Sequence, residues 1–389
     1  MSFASFIREW RSYFRFRSLF AEARSIVFYA EDAGSWRYFE PIIAELAGSH
    51  GKQICYVTSS HADPVLQNPD PHIQSFCIGF GTARTTFFSF LQAGVMVMTM
   101  TDLGTYHIKR SKNPVQYVYV FHSTVSTHMA YRPGAFDNYD QILCVGPHHQ
   151  QEIRASEELH GLPPKTLLEG GYVILDAILE SAPTCEAPQD GGPNRVLIAP
   201  SWGDNGLIET CGPELISILL EAGYRVVVRP HSQTIRQRHP AVRQIEARFN
   251  GNPNFRMDID LSSQGTVSDS DIMISDWSGA ALEYSLGLEK PVIFIDVPKK
   301  INNPNYEKIG LEPFEVALRH VVGEVISPDR LAEVTDSVER LCDNPGKMRS
   351  KIRNLRTRSI YNVGSSAKVM ADHILAALEM EESTETDAT

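Results

Sequence analysis

Residues 25–58 read SIVFYAEDAGSWRYFEPIIAELAGSHGKQICYVT, and this stretch decides the fold class. Two short apolar runs, Ile26–Ala30 and Ile54–Thr58, flank a segment over 36–47 whose apolar residues recur at helical spacing. A strand, a helix and a second strand in this order form the βαβ unit of a parallel sheet. The polar and small residues over 32–35 then form the loop that leaves the first strand.

The same alternation continues through the chain and predicts an α/β protein with two doubly wound sheets. Further strands are predicted at 95–98, 115–121, 141–145, 195–199, 225–228, 271–274 and 291–296. A helix is predicted from about 212 to 222, and the chain after 327 is predicted to be mostly helical.

A length of 389 residues is long for one core and fits two domains. Residues 181–194 lack periodicity and are rich in proline, glycine and small residues, so they are the predicted linker. The predicted domains are 25–180 and 195–380. An amphipathic helix over 1–24 precedes them, and a polar, acidic tail over 381–389, too poor in apolar residues to order itself, follows them.

Composition narrows the class of protein. The chain is 42% hydrophobic and 21% charged, as in soluble globular proteins, and contains no run of about 18 apolar residues. Its formal net charge of -11 argues against nucleic acid as a partner. The six cysteines are scattered and the N-terminus lacks the pattern of a secretory signal, which indicates a cytoplasmic protein.

The first 24 residues interleave aromatic residues with arginines. Phe3, Phe6, Ile7, Trp10, Tyr13 and Phe14 gather on one helical face, and Phe16 leaves that face. Such a helix can lie in a membrane interface, with its arginines at anionic headgroups. The alternative is a helix that packs on the protein's own surface.

Two histidines directly follow predicted strands. His122 ends the run 115–121, and an imidazole there suits a general base that accepts a hydroxyl proton. Arg229 and His231 follow the strand 225–228, where Arg229 would hold a diphosphate and His231 would stabilise phosphoryl charge or protonate the leaving group. The structural alternatives are a hydrogen-bonded His122, a salt-bridged Arg229 and a capping His231.

A strand-to-helix junction and one further strand end complete the predicted site. Ser278 and the amides from Gly279 onward would bind phosphate, and Glu283 would reach ribose hydroxyls. The alternative is that Asp276 or Ser278 is only an N-cap. The predicted donor-binding residues are Ser201, Trp202, Arg229, Ser275, Asp276, Ser278, Gly279 and Glu283, with Ser201 and Trp202 lining the same cleft or merely capping and packing.

Three further residues are candidates for the acceptor side. Asp32, Gly34 and Ser35 qualify only because they follow the first predicted strand. The dinucleotide fingerprint and the P-loop, nucleophile-elbow and zinc-protease motifs are missing from the sequence. Acidic residues do not cluster at metal-ligand spacing, so we expect neither a tightly held metal nor a cofactor.

The ordered set of strand-end segments resembles the CDP-glycerol glycerophosphotransferase family of teichoic-acid and capsule assembly. The segments are Phe121-His122-Ser123, Gly171-Tyr172 with Asp176, Ala199-Pro200-Ser201-Trp202, Arg229-Pro230-His231 and Ser275-Asp276-Trp277-Ser278. The resemblance spans about 115–296. Family members usually have glycine where this chain has Ser123, and a second serine where it has Gly279.

The resemblance implies a GT-B fold, with two Rossmann-like domains facing a cleft and the nucleotide held mainly by the C-terminal domain. It also implies a CDP-glycerol or related CDP-polyol donor and a lipid-linked or glycan acceptor. The enzyme would then work peripherally at the cytoplasmic membrane surface, which agrees with the N-terminal helix.

The expected reaction is attack of an acceptor hydroxyl on the distal phosphorus of CDP-glycerol, with release of CMP. His122 and His231 are the expected catalytic residues. The alternative is a GT-B glycosyltransferase in which the same residues bind a nucleotide sugar and attack occurs at a sugar carbon. A third hypothesis is a noncatalytic nucleotide-binding or membrane-scaffold protein.

Overall fold

A computed structural model describes residues 3–101, 103–105, 108–181, 194–237, 239–259 and 265–386. The chain forms two compact units, each built on one parallel sheet. The first unit comprises Met1–Ser123, Tyr131–Ile174 and Ile360–Thr389, and the second comprises Thr124–Ala130 and Leu175–Ser359. The predicted linker lies, except for its two end residues, outside the described residues.

The first unit contains a seven-stranded sheet. Its strands are β1 (Ile26–Ala30), β2 (Ile54–Thr58), β3 (Ile73–Cys77), β4 (Val95–Met98), β5 (Gln116–Val120), β6 (Gln141–Cys144) and β7 (Thr166–Glu169). Its helices are α1 (Phe3–Arg17), α2 (Trp36–Gly48), α3 (Thr82–Phe90) and α4 (Pro147–His160), and α5 (Val173–Ser181) leads into the second unit. All neighbouring strands are parallel, in the order β3-β2-β1-β4-β5-β6-β7.

The second unit contains a six-stranded parallel sheet in the order β10-β9-β8-β11-β12-β13. Its strands are β8 (Arg195–Ile198), β9 (Arg225–Val228), β10 (Phe255–Met257), β11 (Ile272–Ser275), β12 (Val292–Ile295) and β13 (Gly323–Ile326). Its helices are α6 (Leu207–Glu221), α7 (Ser232–Arg236), α8 (Pro240–Phe249), α9 (Gly265–Asp269), α10 (Gly279–Leu288), α11 (Phe314–Val322), α12 (Val334–Asp343) and α13 (Pro345–Ser359). The last helix of the chain is α14 (Ser366–Thr386).

The C-terminal segment belongs to the first unit, whereas the sequence prediction placed residues up to 380 in the second domain. Met370, Ala371, Ile374 and Ala377 recur on one face of α14 and are buried in the same core as strand β1. Helix α14 also continues through Thr386, into the predicted disordered tail, and residues 387–389 lie outside the described part of the chain.

The helix predicted from about 212 begins five residues earlier, at Leu207. Its first amide, that of Leu207, donates a hydrogen bond of 2.9 Å to Oδ2 of Asp276. The start of α6 is therefore fixed by a carboxylate distant in sequence, which local pattern cannot reveal. Pro213 lies within the helix.

Helix α1 packs on the first unit through a face that shares only Tyr13 with the predicted one among its buried residues. Glu9, Tyr13 and Phe16 are buried, and the Phe16 ring makes edge contacts with Phe76 and Phe87. Phe16, which the sequence prediction placed off the apolar face, is thus its most deeply buried aromatic residue. The predicted face keeps four large apolar residues exposed: Phe3, Phe6, Ile7 and Phe14.

A buried carboxylate fixes α1 in place. Oε1 of Glu9 lies 2.9 Å from Nε2 of His61, which follows β2, and Ser5 donates a second hydrogen bond to it. Gly79 has a φ of 60°, and a Cβ at this position would lie 2.2 Å from the Glu9 carboxylate. The helix is therefore docked specifically. Among the described residues, no helix is both long and apolar enough to cross a membrane.

Candidate functional site

Each sheet has one place where the strand order reverses. In the second unit the chain runs from β8 outward through β9 to β10, and then returns to β11 on the other side of β8. The loops that leave β8 and β11 diverge there, and open parallel sheets bind ligands at such switch points. Ser201 and Trp202 follow β8, while Asp276 and Ser278 follow β11, so the predicted donor residues lie at this point.

Asp276 and Ser275 hold these loops together. Oδ1 of Asp276 accepts a hydrogen bond from the Ser201 amide at 2.7 Å, and its Oδ2 accepts from the amide of Leu207. The Ser275 hydroxyl donates to the carbonyl of Ala199 at 2.6 Å. Both side chains are fully buried. They position the site, and Asp276 is not the N-cap of α10.

The N-terminus of α10 faces the same edge of the sheet. Ser278 is its N-cap residue, yet its hydroxyl makes no capping hydrogen bond among the residues that the structure describes. The first-turn amides of Gly279 and Ala280 lack helical partners by geometry, and the helix dipole places partial positive charge there. Glu283, half-buried, lies one turn further along the helix. This end of α10 is suited to an anion.

His231, at the end of β9, is a neutral hydrogen-bond donor. Its Nδ1 accepts from the Gln233 amide at 3.1 Å and so caps α7, as the structural alternative proposed. Burial lowers the pKa of His231 to about 4, and the positive charge of Lys300 acts in the same direction. Since Nδ1 is an acceptor, the single proton of the neutral ring is on Nε2.

Lys300 is a member of this site that the sequence analysis missed. Its Nζ lies 4.0 Å from the ring centroid of Trp202 and donates to the Trp202 carbonyl at 3.1 Å. The Trp202 ring in turn lies 6.3 Å from that of His231. Burial lowers the pKa of Lys300, while Asp276 opposes the shift. The available signal was that Lys299 and Lys300 follow the predicted strand at 291–296 and so lie at the same edge.

We call Trp202, His231, Ser278, Lys300 and the first amides of α10 the strand-end cradle. Arg229 lies beside it, with its guanidinium 3.5 Å from Oδ2 of the buried Asp258. The predicted salt-bridge alternative therefore applies to Arg229. Glu209, in the first turn of α6, was also not predicted from the sequence. Burial raises the pKa of its carboxyl.

The first unit places His122 in an aromatic surrounding. Its Nδ1 lies 3.1 Å from both the carbonyl and the hydroxyl oxygen of Thr99, which follows β4. The rings of Tyr38 and Tyr131 contact the imidazole edge-on at 6.2 and 5.7 Å, and the Tyr172 hydroxyl donates to the His122 carbonyl. A carbonyl can only accept, so Nδ1 carries the proton and Nε2 carries the lone pair.

Burial lowers the pKa of His122, and its hydrogen bond to Thr99 opposes the shift. The ring is therefore neutral at pH 7 and can accept a proton at Nε2. Among the described residues, Nε2 has no hydrogen-bond partner. This arrangement is compatible with a general base as well as with a structural histidine.

The candidates after β1 form a turn at the same edge as His122. Oδ1 of Asp32 accepts from the Gly34 amide at 2.9 Å, and Ser35 is buried at the start of α2. Strand β4 separates β1 from β5, so Asp32 and His122 follow strands about 10 Å apart. The hydrogen bond from the Gly34 amide shows that Asp32 caps this turn.

Comparison with known proteins identifies the fold. The chain matches no family model and no curated protein sequence. A putative UDP-N-acetylglucosamine 2-epimerase from Listeria monocytogenes has a TM-score of 0.59 at 14% identity, over 92% of this chain and 96% of that chain. The S. aureus MnaA–UDP co-structure has a TM-score of 0.60 at 12% identity, over 92% and 97% of the two chains.

A glycosyltransferase from Rickettsia africae ESF-5 is also similar, with a TM-score of 0.53 at 11% identity over 92% of this chain and 98% of that one. Identities this low indicate shared fold alone. The predicted fold class is confirmed: the chain has the two Rossmann-like α/β domains of the GT-B fold.

Proposed function

We propose that the protein transfers glycerol phosphate, or a related polyol phosphate, from a CDP-linked donor to an acceptor hydroxyl. The observation that carries the proposal is the strand-end cradle. The first amides of α10, the Nε2–H of His231 and the ammonium of Lys300 are all hydrogen-bond donors at one switch point. A diphosphate needs such a set, and the exposed Trp202 ring offers a surface on which a base can stack.

In the proposed reaction the acceptor oxygen attacks the distal phosphorus of the donor. A new phosphorus–oxygen bond forms, the bond from that phosphorus to the bridging oxygen breaks, and CMP leaves with the bonding electrons. The cradle stabilises the charge that develops on the bridging and non-bridging oxygens. With a pKa of about 4, His231 acts as a neutral donor and contributes no imidazolium at pH 7.

His122 takes the proton of the acceptor hydroxyl in this proposal. Its Nδ1 is held by Thr99, which leaves Nε2 as the basic atom. A lowered pKa keeps the ring unprotonated at neutral pH, although it also makes the ring a weaker base. Tyr38 and Tyr131 restrict the ring orientation, which favours a positioned base over a mobile one.

The donor assignment relies on the ordered sequence segments that resemble CDP-glycerol glycerophosphotransferases. A nucleotide-sugar glycosyltransferase is the second candidate, because one neighbour in fold is described as a UDP-N-acetylglucosamine 2-epimerase and another as a glycosyltransferase. Both candidates require a diphosphate at the cradle. A noncatalytic nucleotide-binding protein would bind the donor without turnover.

The acceptor in this proposal is lipid-linked, and the protein works peripherally at the cytoplasmic face of the membrane. The exposed aromatic face of α1 supports this location, since Phe3, Phe6 and Phe14 are accessible beside arginines of the same helix. Apolar rings at the acyl boundary and guanidinium groups at anionic headgroups stabilise interfacial helices.

The test is donor profiling with purified protein and a crude lipid extract as acceptor. We expect CMP release from CDP-glycerol or CDP-ribitol, whereas UDP release from UDP-N-acetylglucosamine would favour the second candidate. His122→Asn should lower turnover by about 10²- to 10⁴-fold, because Asn retains a donor for Thr99 but has no basic atom. His231→Asn, whose side-chain oxygen can still cap α7, should lower turnover by about 10²- to 10³-fold.

His160→Ala is the matched control, because this histidine lies at the exposed end of α4 and should leave turnover unchanged. Turnover at the level of His160→Ala in both strand-end variants would contradict the assigned roles. Donor binding without release of any nucleotide would instead identify a noncatalytic protein.

A further inference from the structure

The second unit has a cavity away from the strand-end cradle. Three arginines, Arg195, Arg225 and Arg256, line a cavity of about 260 Å³ together with Asn254 and Thr266. Arg195 and Arg225 are the first residues of β8 and β9, whereas the cradle follows the last residues of the same strands. The cavity therefore lies at the opposite edge of the sheet, and the proposed function makes no use of it.

The strand register places all three arginines on one face of the sheet. Arg195 lies directly across from Arg225, and Arg256 lies across from Val227, two residues after Arg225. Side chains alternate between the faces of a sheet, so positions 225 and 227 share a face, and so do their partners. Like charges on neighbouring strands repel one another and destabilise the sheet.

The described residues supply little negative charge to offset this repulsion. Arg256 donates to the Thr266 hydroxyl, and Arg195 donates to the Asp269 carbonyl at 3.5 Å. In the part of the chain that the structure describes, none of the three guanidinium groups forms an ion pair. Asp269 is the one acidic residue of the lining, so three positive side chains face one carboxylate.

Other arginines of the same unit are paired. Arg353 and Arg356 contact Glu289 at 2.7 and 2.8 Å, and Arg319 contacts Asp296 at 3.0 Å. The whole chain carries a formal charge of -11, so acidic residues are abundant. Three arginines that gather around a cavity without such partners among the described residues are suited to an anion from outside the chain.

We propose that this arginine pocket, formed by Arg195, Arg225 and Arg256, binds a small phosphate-bearing anion. Guanidinium groups match phosphate oxygens in paired hydrogen bonds. The cavity is smaller than the range of about 300–1,000 Å³ that drug-sized ligands occupy, which limits the ligand to roughly the size of phosphate or diphosphate. Val227, on the same face of the sheet as the arginines, adds apolar surface that strengthens the attraction.

The experiment titrates the full chain with inorganic pyrophosphate by calorimetry, in a Lys300→Ala background that removes the cation of the strand-end cradle. We expect pyrophosphate to bind in this background. Arg225→Gln and Arg256→Gln should each weaken binding by about 10-fold or more, because each removes one charged hydrogen-bond donor. Arg243→Gln is the control, since this arginine is exposed on α8 of the same unit and away from the pocket.

A second measurement follows the melting temperature. The parent protein in this measurement is Lys300→Ala. Without pyrophosphate, Arg225→Gln in this parent should have a melting temperature at or above that of the parent itself, because the replacement removes repulsion from Arg195. Pyrophosphate should raise the melting temperature of the parent but not that of the Arg225→Gln/Arg256→Gln double variant. This comparison also shows that the double variant folds.

Two results would overturn the proposal. One is pyrophosphate binding in the double variant that equals binding in Arg243→Gln, which would place the anion elsewhere. The other is binding to phosphatidylglycerol vesicles without any binding of free pyrophosphate, which would identify a lipid headgroup surface in place of a small-anion pocket.

Discussion

At the scale of single residues, the two strand-end histidines have opposite hydrogen-bonding states. His122 donates from Nδ1 to Thr99, which leaves Nε2 as an acceptor. His231 accepts at Nδ1 from the Gln233 amide, which leaves a proton on Nε2. The same side chain thus carries a lone pair on Nε2 in one unit and a proton on Nε2 in the other. The states differ because Nδ1 of His122 contacts a carbonyl oxygen, whereas Nδ1 of His231 contacts an amide N–H.

The state of His231 gives a pH prediction. Because its pKa in the folded protein is lowered to about 4, the ring should stay neutral from pH 7 to pH 5 with its proton on Nε2. Below a pH of about 6.5, His231 binds a proton in the unfolded chain but stays unprotonated in the folded chain. This group's contribution to stability is therefore present at neutral pH and is lost as the pH falls toward 4.

Long-range ¹H–¹⁵N spectra of histidine-labelled protein would measure the tautomer and the titration midpoint of His231. A His231 midpoint at or above about 6.5, the ordinary value of an imidazole, or a proton found on Nδ1, would contradict the neutral-donor state.

Sequence reasoning identified the residues at the strand ends but not the atoms that they use. The pattern around Asp276 predicted phosphate binding or a cap, whereas both carboxylate oxygens bind amides of the loops after β8. Those amides lie about 70 residues away in sequence, at 201 and 207. Lys300 was missed because it lies five residues beyond β12, where strand periodicity gives no signal.

At the scale of elements, strands buried on both faces were the easiest to predict. β1, β2 and β4 have the predicted bounds, because each is a short, continuous apolar run with every residue buried. β3, β7, β10 and β13 were not predicted. Each carries polar or half-buried residues, as edge and near-edge strands do, so hydrophobicity does not mark them.

Helix α1 packs on the protein's own surface, as one of the two predicted alternatives proposed, and still exposes large apolar side chains. Its buried face, with Tyr13 and Phe16, docks on β3 and α3, while Phe3, Phe6 and Phe14 remain exposed. The hydrophobic pattern of the sequence could not separate these faces, because aromatic residues occur on both. The docking depends on Phe76 and Phe87, which are distant in sequence.

The exposed face of α1 predicts membrane binding that depends on two side chains. Replacing Phe3 and Phe6 with Ser should lower partitioning into phosphatidylglycerol vesicles by at least about 10-fold, because each buried Phe contributes about 1.5–3 kcal/mol. Phe90→Ser is the matched control, since Phe90 is an exposed aromatic residue of the same unit on α3. Co-sedimentation with the vesicles, at two salt concentrations, measures the partitioning of the double variant and of the control.

Folding of the double variant should be unchanged, because Tyr13 and Phe16 still hold the helix. If Phe90→Ser lowers vesicle binding as much as the double replacement does, α1 is not the membrane-binding element. Binding that remains at the parent level in both variants would remove the helix from the proposed location altogether.

At the scale of the whole molecule, the repeated βα pattern predicted two parallel sheets and the fold comparison agrees with it. The pattern could not predict which sheet the C-terminus joins. Helical periodicity predicts which face of α14 is apolar but not which sheet that face packs against. Because α14 follows the strands of the second sheet in the chain, the sequence suggested the second sheet. The partner is decided by packing against α2, β4 and β5, which lie far earlier in the chain.

The return of the chain to its first unit predicts that two methionines of one helix behave differently. Met370 is buried in the core of the first unit, with 1% of its surface exposed, whereas Met380 is 62% exposed. Met370→Ala should destabilise the first unit by about 2–5 kcal/mol, because it leaves a cavity in the core of that unit, where the Met370 side chain lies near Gly170 and Leu143. Met380→Ala should change stability by less than about 0.5 kcal/mol.

Hydrogen exchange followed by peptide mass spectrometry measures these effects unit by unit. In Met370→Ala, peptides that contain β1 and β4 should lose protection, while those that contain β8 and β11 should keep theirs, because α14 contributes its buried face to the first sheet alone. Equal loss in Met380→Ala would show that burial along α14 is not what stabilises the first unit. Loss confined to β8 and β11 would return the C-terminal segment to the second domain, where the sequence had suggested it belongs.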